Sequence, residues 1–203
     1  KEPDAQTEEV VDYLNAENDY KKEVMAPTEA LQTKLYDEIV GRIKKDDESV
    51  PVLDKGYWYY SRFEEGKEYP YSCRKKGSMD AEEEVMLDQP AMAEGYNYFA
   101  VGGRSVSPDN HLLVYGVDTV SRRQYTLYIK DLRTGELFED RIPETTGGAT
   151  WANDNKTLFY TKKDPMTLRS FQIYKHVLGT DVSEDVLVFE EKDETFSCGI
   201  GKT

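Results

Sequence analysis

The residues of this 203-residue chain best able to act as nucleophile, base or metal ligand are few: two histidines, two cysteines and scattered serines and carboxylates. His111 follows Asp109-Asn110, a pair typical of tight turns, and reads as an exposed turn residue rather than a general base. His176, beside Lys175 in a strand-like run, is expected to be structural in the same way. Zinc needs three or four His, Cys or carboxylate ligands at characteristic spacing, and no such cluster occurs. Asp109-Asn110 lacks the flanking carboxylates of a calcium loop. Gly103-Arg104-Ser105-Val106-Ser107 opens like a nucleophile elbow, but it lacks the closing glycine and precedes a strand rather than a helix. No phosphate-cradling Gly-x-x-x-x-Gly-Lys motif is present; Gly102-Gly103 and Gly147-Gly148 read as backbone bends.

Cys73 would be reactive only if exposed, where Arg74 and Lys75 could favour its thiolate. With Cys198 it is expected to remain a free, half-buried thiol, since two cysteines build no framework of bridges. Asp80, Glu82, Glu83 and Glu84 read as a solvated loop and strand edge, able to attract cationic peptides only through a screened field. Arg122-Arg123 and Lys162-Lys163 read as rim charges at equivalent loop positions, and Asn155-Lys156-Thr157 as part of a turn rather than a glycosylation site. The expectation is that no catalytic, cofactor-binding or metal-binding residue lies in this chain.

Lys and Arg sum to 26 against 40 Asp and Glu, a net charge of −14. Such a chain repels phosphate backbones and anionic membrane surfaces, so neither nucleic acid nor membrane is an expected partner. Apolar residues make up only 38%, yet aromatics reach 12% with 15 tyrosines, which argues for a folded protein with a charged exterior. No apolar run approaches the roughly 18 residues of a membrane span. The opening Lys1-Glu2-Pro3-Asp4 resembles neither an initiator methionine nor a signal peptide, so the sequence reads as a piece of a longer chain.

The elements that would position these side chains fall into two parts. Residues 1–46 read as a helical extension. Val10, Val11, Leu14, Val24 and Met25 fall near one face of a helix over 7–25, Pro27 breaks it, and Thr28 is expected to cap a second helix with Leu31, Leu35, Ile39 and Ile43 at spacings of four. Narrow apolar stripes with charged backs predict helices that lean on something else. From 47 to 203 the pattern is β. Tyr57–Arg62, Tyr69–Arg74 and Glu84–Leu87 read as strands, with Glu64–Lys67 as a turn and Trp58 as inter-sheet packing. Residues 102–115 then match residues 147–160 at six of 14 positions with an offset of 45: Gly102/Gly147, Gly103/Gly148, Asp109/Asp154, Asn110/Asn155, Leu113/Leu158 and Tyr115/Tyr160. Average residue usage gives about one match by chance. The parallel continues one residue out of step at Leu127-Tyr128 over Ile173-Tyr174. Four antiparallel strands in about 45 residues is the size of a β-propeller blade. Residues 50–88 read as a divergent blade or parts of two. Val186–Phe189 and Phe196–Ile200 are expected to finish one unit and begin another. Propellers close with about four to eight blades, so the fold class is mainly β, an incomplete β-propeller preceded by two helices.

Asp12-Tyr13-Leu14-Asn15-Ala16-Glu17-Asn18 followed by Val24-Met25-Ala26 resembles the amino-terminal helices of the prolyl oligopeptidase family, and Ser121-Arg122-Arg123-Gln124-Tyr125, Trp151-Ala152-Asn153-Asp154 and Glu190–Phe196 resemble its oligopeptidase B (protease II) branch. The resemblance runs through nearly all of the chain. It implies the amino-terminal part of a cytosolic serine peptidase that cuts short peptides after Lys or Arg, needing no cofactor. It further implies a seven-bladed propeller that restricts substrate size, and helices that pack on a carboxy-terminal α/β-hydrolase domain. That domain would carry the Ser, Asp and His of the triad, and no position here matches them. The 203 residues alone are then expected to be inactive and to self-associate through open edges. The alternative is a stand-alone propeller-like binding or scaffold module.

Overall fold

The computed structural model describes residues 5–202 and divides after Lys45 into two compact units. In the first, α1 (Ala5–Met25) and α2 (Glu29–Val40) are joined by a 3₁₀ turn, Ala26–Thr28. Pro27 has no amide hydrogen to continue the α1 ladder, which is why the helix stops there. Thr28 precedes α2 but does not cap it: its hydroxyl donates back to the Met25 carbonyl at 2.6 Å and accepts from Gln32 Nε2 at 2.8 Å. Ile43, expected to extend the stripe, lies beyond the helix end at Val40. The apolar side chains of both helices are exposed: Val10, Leu14, Leu31, Leu35 and Ile39 each show about half their surface to solvent.

The second unit is built of strands β1 (Asp47–Glu48), β2 (Val52–Asp54), β3 (Tyr57–Phe63), β4 (Tyr71–Lys76) and β5 (Glu83–Asp88), a single turn of helix α3 (Gln89–Met92), then β6 (Ala100–Val106), β7 (Leu112–Asp118), β8 (Tyr125–Asp131), β9 (Leu137–Trp151), β10 (Thr157–Lys163), β11 (Ser170–Val177) and β12 (Val186–Glu190). β1 and β2 both pair with the same edge of β3, so they act as one first strand interrupted before β2, and β4 and β5 follow in order. Residues 47–88 therefore form one blade. β6 to β12 form one continuous antiparallel ladder. Its fifteen-residue strand β9 serves twice. Leu137–Thr145 pairs with β8, as the outermost strand of one blade, and Thr145–Trp151 pairs with β10, as the first strand of the next.

The offset-45 repeat is thus two consecutive blades, β6-β7-β8-β9 and β9-β10-β11-β12, following the blade of residues 47–88. Strand β7 shows how the middle blade is packed. Successive side chains of a strand point to opposite faces, and here Leu113 and Tyr115 pack towards Met86 and Leu87 of the first blade, whereas Leu112 and Val114 pack towards Trp151, Leu158 and Tyr160 of the third. Glycine lets the first strands approach. A Cβ on Gly103 would lie 2.8 Å from Gly148 Cα, and one on Gly116 would overlap the Gly147 backbone, with Cα at 2.5 Å. Turns repeat as well, with Asn110 and Asn155 both in the left-handed region that Asn tolerates.

Three expectations fail at the edges of this pattern. Trp58 is only half-buried and donates to the Gly77 carbonyl at 3.3 Å, while its neighbours Tyr59 and Tyr60 carry the packing. Phe196–Ile200 forms no strand; the segment is tied down by Arg169, which donates to the Phe196 carbonyl, and by the Cys198 amide, which donates to Ser170. Lys162-Lys163 ends strand β10, whereas Arg122-Arg123 lies in the loop after β7, so the two pairs are not equivalent. Among the described residues the strands form no closed ring, and no helix is long and apolar enough to cross a membrane.

Candidate functional site

Three groups of polar side chains are built by the blades, and each sits at or beside a seam between neighbours. The first lies in the opening blade. Of the acidic run expected to be solvated, Asp80 and Glu82 are exposed, but Glu83 and Glu84 are paired, because the β3-β4-β5 register places basic residues opposite them. Arg74 faces Glu84 and binds it through Nε and Nη2 at 2.7 and 2.8 Å, and Arg62 binds Glu83, which also accepts from the Tyr60 hydroxyl. Arg74 also donates to the Asn110 carbonyl at 2.8 Å and lies 4.3 Å over the Tyr57 ring, tying the first blade to the turn of the second. Cys73 is fully buried beside this network; burial and the neighbouring Glu83 carboxylate push its thiol up to about 12. A thiol held protonated has no nucleophilic character at neutral pH. The Arg74 and Lys75 charges, which suggested the opposite, are engaged elsewhere: Lys75 donates to the Met79 carbonyl.

Between the first and second blades lies a cleft of ≈ 420 Å³ lined by Ser49, Ser61, Ser72, Cys73, Arg104 and Leu113. The Arg104 guanidinium reaches the buried Ser72 hydroxyl, which also accepts from Gln89 Nε2. Ser105, the elbow candidate, sits inside β6, and its carbonyl accepts from Trp151 Nε1 of the third blade at 2.9 Å. Both histidines are committed elsewhere, so no base is placed to activate it.

The second group is a chain of turns. Asn110 Nδ2 donates to the Lys55 carbonyl in the turn of the first blade, and Asn155 Oδ1 accepts from the Asp109 amide in the turn of the second. Each Asn side chain therefore reaches back one blade. Asp109 and Asp154 fold their own turns by accepting from the following amides. His111 stands exposed beside Asp109, 3.4 Å from its carboxylate.

The third group was not foreseen. His176 is completely buried, and both ring nitrogens meet carboxylates: Nδ1 is 2.6 Å from Asp185 and Nε2 is 2.8 Å from Asp140. Asp140 belongs to the outer strand of the second blade, His176 and Asp185 to the third. Asp140 also accepts from the Gly179 amide, and Asp185 accepts from the Tyr160 hydroxyl, whose ionisation is pushed up by burial and by that carboxylate. The same place in the second blade is held by Lys130: Lys130 pairs with Leu113 as His176 pairs with Leu158. Lys130 Nζ donates to the Met86 carbonyl in the outer strand of the first blade at 2.8 Å. A stacked tyrosine pair accompanies each of these two side chains, Tyr115–Tyr128 at 5.8 Å and Tyr160–Tyr174 at 5.7 Å between ring centres. These arrangements join blades, and none pairs a nucleophile with a base. Among the described residues no group of three or more His, Cys, Asp or Glu could hold a metal ion.

Fold and polar networks together define an open β-propeller segment with amino-terminal helices. Residues 3–203 match the family model of the prolyl oligopeptidase N-terminal β-propeller domain, and the chain belongs to the prolyl oligopeptidase family. A dipeptidyl aminopeptidase BI of Pseudoxanthomonas mexicana is 46% identical over 213 residues, and protease 2 of Moraxella lacunata is 38% identical over 207. Each alignment covers 98% of this chain and 30% of the relative, so the chain spans under a third of their length. Among solved structures, oligopeptidase B from Leishmania major superposes with a TM-score of 0.83 at 32% identity, covering 96% of this chain and 27% of that one. Oligopeptidase B from Trypanosoma brucei, in a closed form with covalently bound antipain, gives 0.83 at 28% identity over 99% of this chain and 28% of its own. The incomplete propeller expected from the repeat, and the family expected from the quoted stretches, are both borne out.

Proposed function

We propose that this chain is the substrate-filtering part of a cytosolic serine oligopeptidase that cleaves short peptides after Lys or Arg. A carboxy-terminal α/β-hydrolase domain supplies the Ser, His and Asp and the oxyanion hole for acyl transfer. The propeller covers that active site and excludes folded proteins. α1 and α2 bury their apolar stripes on the hydrolase domain. The 203 residues by themselves carry no catalytic residue and are inactive.

The observation that carries this reading is the uncovered face of the third blade. In the second blade, Val114, Leu127 and Ile142 are each 1% exposed, because the third blade lies on them. The corresponding side of the third blade presents Phe159, Ile173 and Val188 to an open apolar hollow of ≈ 470 Å³. A blade is stable when both faces are covered, so this surface fits a further blade of a larger ring. The test compares the intact protein with the 203-residue chain on an arginyl chromogenic peptide and on the same sequence embedded in a folded protein. The expected result is hydrolysis of the peptide alone, by the intact protein alone. Hydrolysis by the 203-residue chain overturns the assignment of the triad elsewhere, and equal cleavage of the folded substrate overturns the filter.

A second reading concerns where the cut falls. The 46% identity to a protein named as a dipeptidyl aminopeptidase, against 38% to protease 2, favours release of dipeptides from a free amino terminus. Blocking the amino terminus of the arginyl peptide separates the two: an endopeptidase keeps its activity, and a dipeptidyl aminopeptidase loses it.

A further inference from the structure

We propose that the cleft between the first and second blades binds the free carboxylate end of a short peptide, with Arg104 as its anchor, the choice of a peptide resting on the peptidase reading above. Arg104 stands on β6 directly across from Tyr115, and Val106 across from Leu113. Residues opposite each other in an antiparallel pair share a face of the sheet. Leu113 and Tyr115 face the first blade, so Arg104 is turned the same way and joins the lining of the cleft. The register shifts between Val101 and Arg104, at Gly102-Gly103, and such a bulge re-aims the side chain that follows it. Blade packing does not require a cation here. The residue 45 positions on is Ala149, likewise opposite a tyrosine, Tyr160.

The guanidinium is held but not neutralised. Its Nη1 donates to the hydroxyl of Ser72, which is 1% exposed and is fixed from behind by Gln89 Nε2 at 3.1 Å. Arg62, Arg74 and Arg133 are each bound to a carboxylate, whereas Arg104 has no carboxylate partner among the described residues. The other charged side chains of the lining, Lys55 and Asp54, lie 3.9 Å from each other. Two cations against one carboxylate leave the cleft locally positive in a chain of net charge −14. A guanidinium presents a fork of N–H donors that matches a carboxylate through two parallel bonds. Beside it, Val52, Met86, Val106 and Leu113 form an apolar wall for the last side chain of the peptide. The ≈ 420 Å³ of the cleft falls within the roughly 300–1,000 Å³ of small-ligand sites. The site therefore selects a free carboxy terminus with an apolar last residue and discriminates against an amidated one.

The test is titration calorimetry on the intact protein with acetyl-Ala-Leu as the free acid and as the carboxamide. Neither contains Lys or Arg, so neither is a substrate of the proposed cleavage. The expected result is that the acid binds about 10- to 100-fold tighter than the amide, the worth of a charge-assisted pair. Arg104→Ala should reduce the acid to the affinity of the amide, with an unchanged urea midpoint showing that the variant is folded. Arg104→Gln serves the same purpose where Arg104→Ala does not fold. Equal affinity for acid and amide in the unsubstituted protein overturns the site, as does acid binding that survives a folded Arg104 variant. Inorganic phosphate that matches the acid in affinity overturns the peptide as its ligand. Hydrolysis of the arginyl peptide is scored separately. If it occurs while acid and amide bind alike, the site alone fails; if it does not occur while the acid binds through Arg104, the site stands and the peptidase reading fails.

Discussion

The two seams of this propeller segment use the same strand position for different chemistry. At the first, Lys130 reaches a main-chain carbonyl and leaves nearby Glu84 and Asp88 at a distance; burial lowers its pKa, and those carboxylates oppose the shift. At the second, His176 is clamped between two carboxylates that come from both blades. The first seam is otherwise closed by Met86, Leu87, Leu113 and Tyr115, the second by twice as many buried side chains, Trp151 and Tyr160 among them. An open cleft persists at the first seam, whereas the ring of His176 is sealed. A repeat therefore conserves where a tie is placed, while the surrounding burial decides how much depends on it.

The largest expected contrast comes from removing each of these two side chains. His176→Ala leaves two buried carboxylates without their ring partner and should cost about 3–5 kcal/mol, the range for leaving a buried charge uncompensated. Lys130→Ala removes one charge-assisted bond to a carbonyl and should cost about 1.5–3 kcal/mol. Denaturant unfolding of the propeller in the intact protein measures both, and equal losses would erase the distinction between the seams. Next is Gly116→Ala, whose added methyl would collide with the Gly147 backbone where β9 crosses from one blade to the next. Overpacking of this kind costs about 1–3 kcal/mol, and more where only backbone can yield. Gly56→Ala is its control, because its φ is +81° but nothing lies within 4 Å of the new methyl, so only the backbone penalty of about 1–2 kcal/mol applies. The smallest effect is expected for Asn155→Gly, which keeps the left-handed backbone while removing the exposed 3.0 Å bond from the Asp109 amide, and should cost about 0.5–1.5 kcal/mol. A loss above 3 kcal/mol there would make the turn chain, rather than Lys130 and His176, the main tie.

What could be read from the residues, and what could not, follows from the range of the interactions. The blades were legible because their constraints are local and repeat: Gly102/Gly147 and Gly103/Gly148 where backbones touch, Asp-Asn where the chain turns, and Leu and Tyr at alternate positions of β7 and β10. The Asp140–His176–Asp185 cluster was not, since its members stand 36 and 9 residues from the ring and nothing in a strand's alternation says which polar residue faces inward. The available signal was positional, a lone histidine standing where the previous blade has Lys130. Within the acidic run, Glu83 and Glu84 were misjudged for the same reason, because Arg74 meets Glu84 only through the β4–β5 register. Thr28 and Ile43 show the opposite limit: a capping residue and a spacing of four were present, but the 3₁₀ turn took the hydroxyl and the helix ended at Val40.

In the proposed function, the open face of the third blade and the stripes of the two helices are surfaces that the rest of a larger enzyme covers. The most direct measurement is hydrogen exchange recorded in parallel on the 203-residue chain and on the intact protein. Peptides spanning 5–40 and 170–190 should be protected only in the intact protein, while those of β7 and β8 are protected in both. Equal protection of all four regions in a monomeric 203-residue chain would contradict it.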